Sequence, residues 1–189
     1  INADQRVMIA TTSLGGSPGY TFYESGFLVH ARASGAAQSM TSFKNGSSAV
    51  GEIRTSTTAT QYLTSSDYRL KENVTSITDG IVRVKQLKPS RFNFIADKDT
   101  TLDGFLAHET QTVVPEAISA TKDATRDIGT IKDADGNVIE TNVEESAKEN
   151  GQTWEKTATE NVYQGIDQAK LVPLLTAALQ EAITKIETL

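Results

Sequence analysis

The apolar positions near the end of the chain recur with helical spacing. Val172, Leu175, Leu179, Ala182, Ile186 and Leu189 follow one another at intervals of 3, 4, 3, 4 and 3 residues, which lines all six along one seam of an α-helix. Leu171, Leu174, Ala178 and Ile183 widen that face. The stripe runs for about 2.5 heptads. It is read as a coiled-coil-like helix that self-associates, against the alternative of an amphipathic helix packed on its own domain. Valine, leucine and isoleucine at one seam position, with leucine and alanine at the other, do not fix a strand number. Pro173 lacks an amide hydrogen, so it either opens the helix within its first turn or kinks it.

Upstream the pattern changes from element to element. Asp79-Gly80 followed by Ile81, Val84 and Leu87 predicts a short helix stopped by Pro89, and the alternation from Arg91 to Ile95 predicts a strand. A second strand is expected from Gly104 to Ala107, leading into a helix that Pro115 stops. From Thr121 to Asn161 the chain is polar. Within it, Ile128 to Val143 reads as a β-hairpin with Asp135-Gly136 at its tip, a solvated projection or a partner-gripping arm. The first 66 residues show no helical period. Phe27, Val29 and Ala31 alternate with Leu28, His30 and Arg32, and Gly15-Gly16, Pro18-Gly19 and Asn45-Gly46 punctuate short strands.

Composition turns this change of pattern into a boundary. Residues 1–66 hold 4 basic and 3 acidic residues but 20 serines or threonines, whereas residues 67–189 hold 14 basic and 21 acidic ones. So polar a first part, with few large apolar side chains, cannot offset backbone ordering costs of ~1 to 2 kcal/mol per residue by itself. It is expected to need partners. The chain begins with Ile, which reads as a piece of a longer product. A net charge of −6 weighs against a nucleic-acid binder, which needs a basic face. The apolar stretch from Leu171 to Leu179 falls well short of the ~20 residues of a membrane span, so no membrane insertion is expected. The chain has no cysteine, which excludes disulfides and thiolate metal sites.

Candidate chemistry is sparse. His30 and His108 are the only histidines, and neither has the spaced partners of a zinc site. Asp133, Asp135, Asn137 and Glu144 match several positions of a calcium loop, but the glycine falls at the fourth position instead of the sixth. A hairpin turn accounts for them better. No metal and no cofactor are expected.

Two strings stand out. Ser65-Ser66-Asp67-Tyr68-Arg69-Leu70-Lys71-Glu72-Asn73 sits at the composition boundary, and Gly104-Phe105-Leu106-Ala107-His108-Glu109 follows. Together with Gly165-Ile166-Asp167 and Lys170-Leu171-Val172-Pro173-Leu174-Leu175, they resemble the peptidase family of phage endosialidase-type C-terminal intramolecular chaperones of tail spikes and tail fibres. The resemblance runs from about Tyr62 to the C-terminus.

It implies an α+β chaperone domain, residues 67–189, with the C-terminal helix holding a homotrimer. It also implies an all-β, triple-stranded distal fibre end in residues 1–66. The domain would template fibre folding and then release itself by cutting Ser66-Asp67, with Ser66 as nucleophile, Lys71 as its base and His108 important for processing. Its partners would be two further copies of itself and the upstream fibre chain, with a host-surface receptor for the mature fibre. Assembly would take place in the host cytoplasm, and the fibre would end in the virion tail. The rival is a permanently attached, receptor-binding trimeric tip. A DNA-binding branch sharing this domain is disfavoured by the nearly balanced charge of residues 1–66.

Two physical constraints accompany that reading. An ordinary lysine, with a pKa of ~10.4, is almost wholly protonated at neutral pH, so a lysine base must be desolvated, here when three chains pack. Five residues correspond to ~140° around a helix and to opposite faces of a strand. A turn, or two different chains, must therefore bring Ser66 and Lys71 together.

Overall fold

Strands dominate the polar first part, and a helix closes the charged second part. The computed structural model describes residues 7–9, 19–22, 28–31 and 36–189. The expected turns at Gly15-Gly16 and Pro18, and the alternating positions Phe27 and Arg32, lie outside them. The chain divides into two compact units, Ile1–Val74 and Thr75–Leu189. The Ser66-Asp67 bond falls within the first.

In the first unit, β1 (Val7–Ile9), β2 (Gly19–Phe22) and β3 (Leu28–Ala31) form an antiparallel sheet in that order. A second meander joins β4 (Gln38–Asn45), β5 (Ser48–Thr55) and β6 (Thr60–Thr64). The Asn45-Gly46 turn links β4 to β5, and Gly46 takes the left-handed conformation (φ +60°) that favours glycine. No residue of β4, β5 or β6 is buried. Among the described residues, every buried apolar side chain belongs to the second unit.

That second unit is mixed α+β. Leu87, Val113, Val114, Ala117, Leu171 and Leu174 form its core, with Val84, Phe105 and Ile118 packed against it. The short helix α1 (Gly80–Val84) crosses the long C-terminal helix α3 (Val172–Glu187). The approach is so close that a Cβ on Gly80 would lie 2.5 Å from the Ala178 amide nitrogen and 2.8 Å from the Ala177 carbonyl carbon. Glu181 of α3 then accepts from the Gly80 and Ile81 amides at 2.5 and 3.2 Å. A carboxylate from 100 residues away thus satisfies the otherwise unpaired amides of the α1 N-terminus.

Pro173 stands in the first turn of α3, so it opens the helix and does not kink it. Just before it, Asp167 caps a 3-10 turn over Gln168–Leu171. β13 (Gly165–Ile166) pairs with β9 (Ile118–Ser119), tying the start of α3 to the core.

Several sequence expectations are corrected. The strand expected over Gly104 to Ala107 instead ends at Gly104. It is β8 (Asp97–Gly104), paired with β7 (Ser90–Phe94). All of β8 except Gly104 is exposed, so no apolar alternation marks it. The helix expected to run up to Pro115 is only α2 (Ala107–Thr110).

The hairpin of β10 (Thr125–Lys132) and β11 (Val138–Val143) forms around Asp135-Gly136. It is not a bare arm, because β12 (Thr153–Asn161) pairs along the other edge of β10 and Ile128 and Ile131 are buried. Trp154 of β12 reaches across the strand between, donating from Nε1 to the Val143 carbonyl at 3.0 Å. Only a glycine at position 129 leaves room for its ring. In the hairpin loop, the Asp133 carboxylate accepts from the Asp135 and Asn137 amides and the Asn137 side chain. It therefore closes the turn. Among the described residues, no three acidic or histidine side chains cluster as metal ligands, and no helix is long and apolar enough to cross a membrane.

The last correction concerns α3. Leu171, Leu174 and Ala178 do not widen the seam; they are buried in the domain's own core. The seam itself stays outside, with Val172 58%, Leu179 62% and Ile186 68% exposed against 2% for Leu174. Because the atoms facing Gly80 are helix backbone and cannot give way, Gly80→Ala is expected to cost about 1 to 3 kcal/mol of stability. Urea unfolding of the full chain checks this through a lowered midpoint at unchanged slope.

Candidate functional site

The site forms where the outer strand of the first unit ends. β6 runs into Ser65, whose amide donates to the Val50 carbonyl and whose hydroxyl donates to the Ala49 carbonyl, both at 3.1 Å. The chain is thus still bonded to β5 one residue before Ser66. Asp67, with extended backbone (φ −63°, ψ 136°), caps a 3-10 turn over Tyr68–Leu70. The Leu70 amide donates to the Asp67 carbonyl and the Lys71 amide to the Tyr68 carbonyl, at 3.1 Å each. Lys71 is extended again. The result is a hydrogen bond of 2.7 Å from Lys71 Nζ to Ser66 Oγ. Of the two routes left open by the spacing, a turn within one chain suffices.

The turn carries its own electrostatic lock. The Asp67 carboxylate accepts from the Arg69 amide at 2.8 Å, from Arg69 Nε at 2.9 Å and from Arg69 Nη2 at 2.7 Å. Asp67 is held below the ordinary carboxylate value, first by the Arg69 side chain, then by the Arg69 amide, with a small contribution from the charge of Lys71. Arg69 is correspondingly raised by Asp67.

Ser66 and Lys71 are both exposed in the single chain, and Tyr68 and Leu70 between them are 81% and 73% exposed. In this geometry the lysine donates. To act as a base it must first lose a proton, which water around an ammonium opposes and burial favours.

The second string builds part of the other unit. Gly104 ends β8 against the Phe92 ring, Phe105 packs on the core, and Glu109 pairs with Lys88 at 3.0 Å. His108 is half-buried on α2 and borders a cavity of about 400 Å³ with Lys122, Asp123 and Tyr163. Its ring has no hydrogen-bond partner among the described residues. The structure thus brings Ser66 and Lys71 together, while His108 stands on a separate unit.

Residues 66–119 match the family model described as the chaperone of endosialidase, a peptidase family. This stretch is similar to the endosialidase-chaperone family. The match begins at Ser66 itself and spans both strings, and α3 and the β10–β12 sheet lie beyond its end. No curated protein matches the chain. Within this stretch the sequence singles out Ser66, Lys71 and His108, and Arg69 stands in the same string with no role assigned to it. An aspartate in N-cap position two residues before an arginine was the available signal.

The depressed Asp67 value has a definite sign. A carboxyl held below its ordinary value in the folded chain stabilises the turn above that ordinary value and loses the contribution as pH falls through the folded value. Carbon-13 NMR of a Ser66→Ala chain should find Asp67 titrating below the ordinary range, and returning to it when Arg69→Ala and Lys71→Ala are combined.

Proposed function

We propose that this chain is an intramolecular chaperone that trimerises through the α3 seam, templates folding of a fibre attached to its N-terminal side, and releases itself by autoproteolysis at Ser66-Asp67. The observation that carries the reading is the 2.7 Å contact between Ser66 and Lys71 inside the family segment. The uncovered apolar seam of α3 supports the association, and three is the copy number that the resemblance implies. The first unit fits a fibre end, because no residue of its second sheet is buried in the single chain and a core there would have to come from neighbouring copies.

Assembly and chemistry are then linked through water. Burying Tyr68 and Leu70 against neighbouring copies would dry the Ser66–Lys71 pair and favour the neutral amine. Ser66 attacking its own carbonyl would close a four-membered ring, so cutting Ser66-Asp67 calls on the hydroxyl of Ser66 from a neighbouring copy. Lys71 takes the hydroxyl proton and passes it to the departing Asp67 amine, and water then hydrolyses the ester. An acyl shift within one chain would break Ser65-Ser66 instead, and the new N-terminus distinguishes the two. Holding three ends together turns register-sensitive strand pairing between separate chains into a local search.

Mass analysis after expression tests the reading. The chain should separate into residues 1–66 and 67–189, and Ser66→Ala or Lys71→Ala should stay whole. Leu179→Glu with Ile186→Glu should give an uncut monomer by light scattering. A full-length trimer with no cleavage favours the permanent tip, and efficient cleavage by a proven monomer removes the link between assembly and chemistry.

A further inference from the structure

The three-residue turn that joins Ser66 to Lys71 is spanned by one side chain. Arg69 gives three hydrogen bonds to a single carboxylate, two from its guanidinium and one from its amide. The charge of Lys71 also acts on that carboxylate, yet Arg69, not Lys71, binds it. Among the described residues, no carboxylate is paired with Lys71. On β5, Glu52 is paired with Arg54 at 2.5 Å, and Glu72, next along the chain from Lys71, is exposed. With Asp67 occupied, the lysine amine is left for the serine hydroxyl.

We propose that Arg69 is a positioning residue of the Ser66–Lys71 pair: forked onto Asp67, it fixes the turn that carries Lys71 to Ser66 and withholds the Asp67 carboxylate from the lysine. The proposal rests on the autoproteolytic reading above. Asp67 contributes the amine side of the bond to be cut, so the same fork holds the leaving group in place. Arginine suits this task because its planar guanidinium matches both carboxylate oxygens at once, which a lysine cannot do. Without it, the freed carboxylate pairs with the Lys71 ammonium. A carboxylate beside an amine keeps the proton on the amine, so less of the base form exists at a given pH.

The test is the rate of self-cleavage of the full chain against pH, for the unaltered protein, Arg69→Ala, Arg69→Lys, and Arg69→Ala combined with Asp67→Asn. Arg69→Ala should cleave about tenfold more slowly near neutral pH, with the rise of its rate displaced to higher pH and much of the loss recovered there. Arg69→Lys should recover only part of the neutral-pH rate. Adding Asp67→Asn should bring the profile back toward its original position. A uniform loss at every pH, with the profile unmoved, would mean that Arg69 only stabilises the fold and would overturn the proposal.

A second measurement needs no cleavage. In a Ser66→Ala chain, acylation of Lys71 by acetic anhydride is read by peptide mass analysis against Lys98. It should slow on Arg69→Ala and recover with Asp67→Asn, and unchanged labelling overturns the proposal. If the unaltered chain never cleaves, the autoproteolytic reading fails, while the labelling still decides what Arg69 does.

Discussion

The C-terminal helix has two apolar faces, and its own domain covers only one. Leu171, Leu174, Ala177 and Ala178 are committed to the core of the second unit. The rotation of α3 about its axis is not adjustable: Gly80 admits the backbone at Ala177–Ala178, and the Glu181 carboxylate takes the two amides that open α1. Turning the helix to hide Leu179 or Ile186 would break both contacts. The exposed seam therefore follows from the same packing that makes the unit stable, and its regular spacing suits another helix better than a loop or a sheet. Such a surface is costly to leave in water, which is the physical ground for the proposed association.

The Ser66–Lys71 pair is subject to the same medium. The contact between its two members forms within one chain, since a capped three-residue turn supplies it. What the single chain does not supply is dryness. Two groups can stand at hydrogen-bonding distance without reacting while the lysine donates to the serine, and removing water reverses that preference. In the proposed mechanism, a pair whose contact is local but whose substrate carbonyl and dry surroundings come from neighbours would be silent before assembly. In the proposed mechanism no separate switch is needed, because burial of apolar surface and loss of the lysine proton are one event.

What could be read from the sequence follows the physics of each element. The α3 period is visible because both of its apolar faces repeat at helical spacing, although the sequence alone could not divide them between core and surface. Asp135-Gly136 marks its hairpin because the turn needs a residue tolerant of positive φ, and Gly136 sits at +87°. β8 and β12 left little trace, since exposed strands of threonine and charged residues lack the alternation that burial imposes. Glu181 had no local signature, because its partners are 100 residues away. The Ser66–Lys71 pair was legible only as a string. A 3-10 turn has no periodicity to betray it, and spacing on regular elements argued against the contact.

In the proposed function, the position of the pair also accounts for how a cut there would leave a fibre end intact. The last backbone hydrogen bond of the meander is that from Ser65 to Val50, and the Ser65 hydroxyl holds Ala49 beside it. Beyond this point, the backbone hydrogen bonds within residues 67–71 are local to the turn. Breaking Ser66-Asp67 therefore removes no rung of the β4–β6 ladder, whereas a cut three residues earlier would fall within β6. The Asp67–Arg69 lock lies wholly on the departing side, so the fibre side keeps every contact that holds its final strand. Once the helper has gone, a strand lost from the fibre would have to find its register again without a template, and that search is slow. In the proposed function, separation at this bond would thus raise the kinetic barrier to disassembly without removing a rung of the folded sheet.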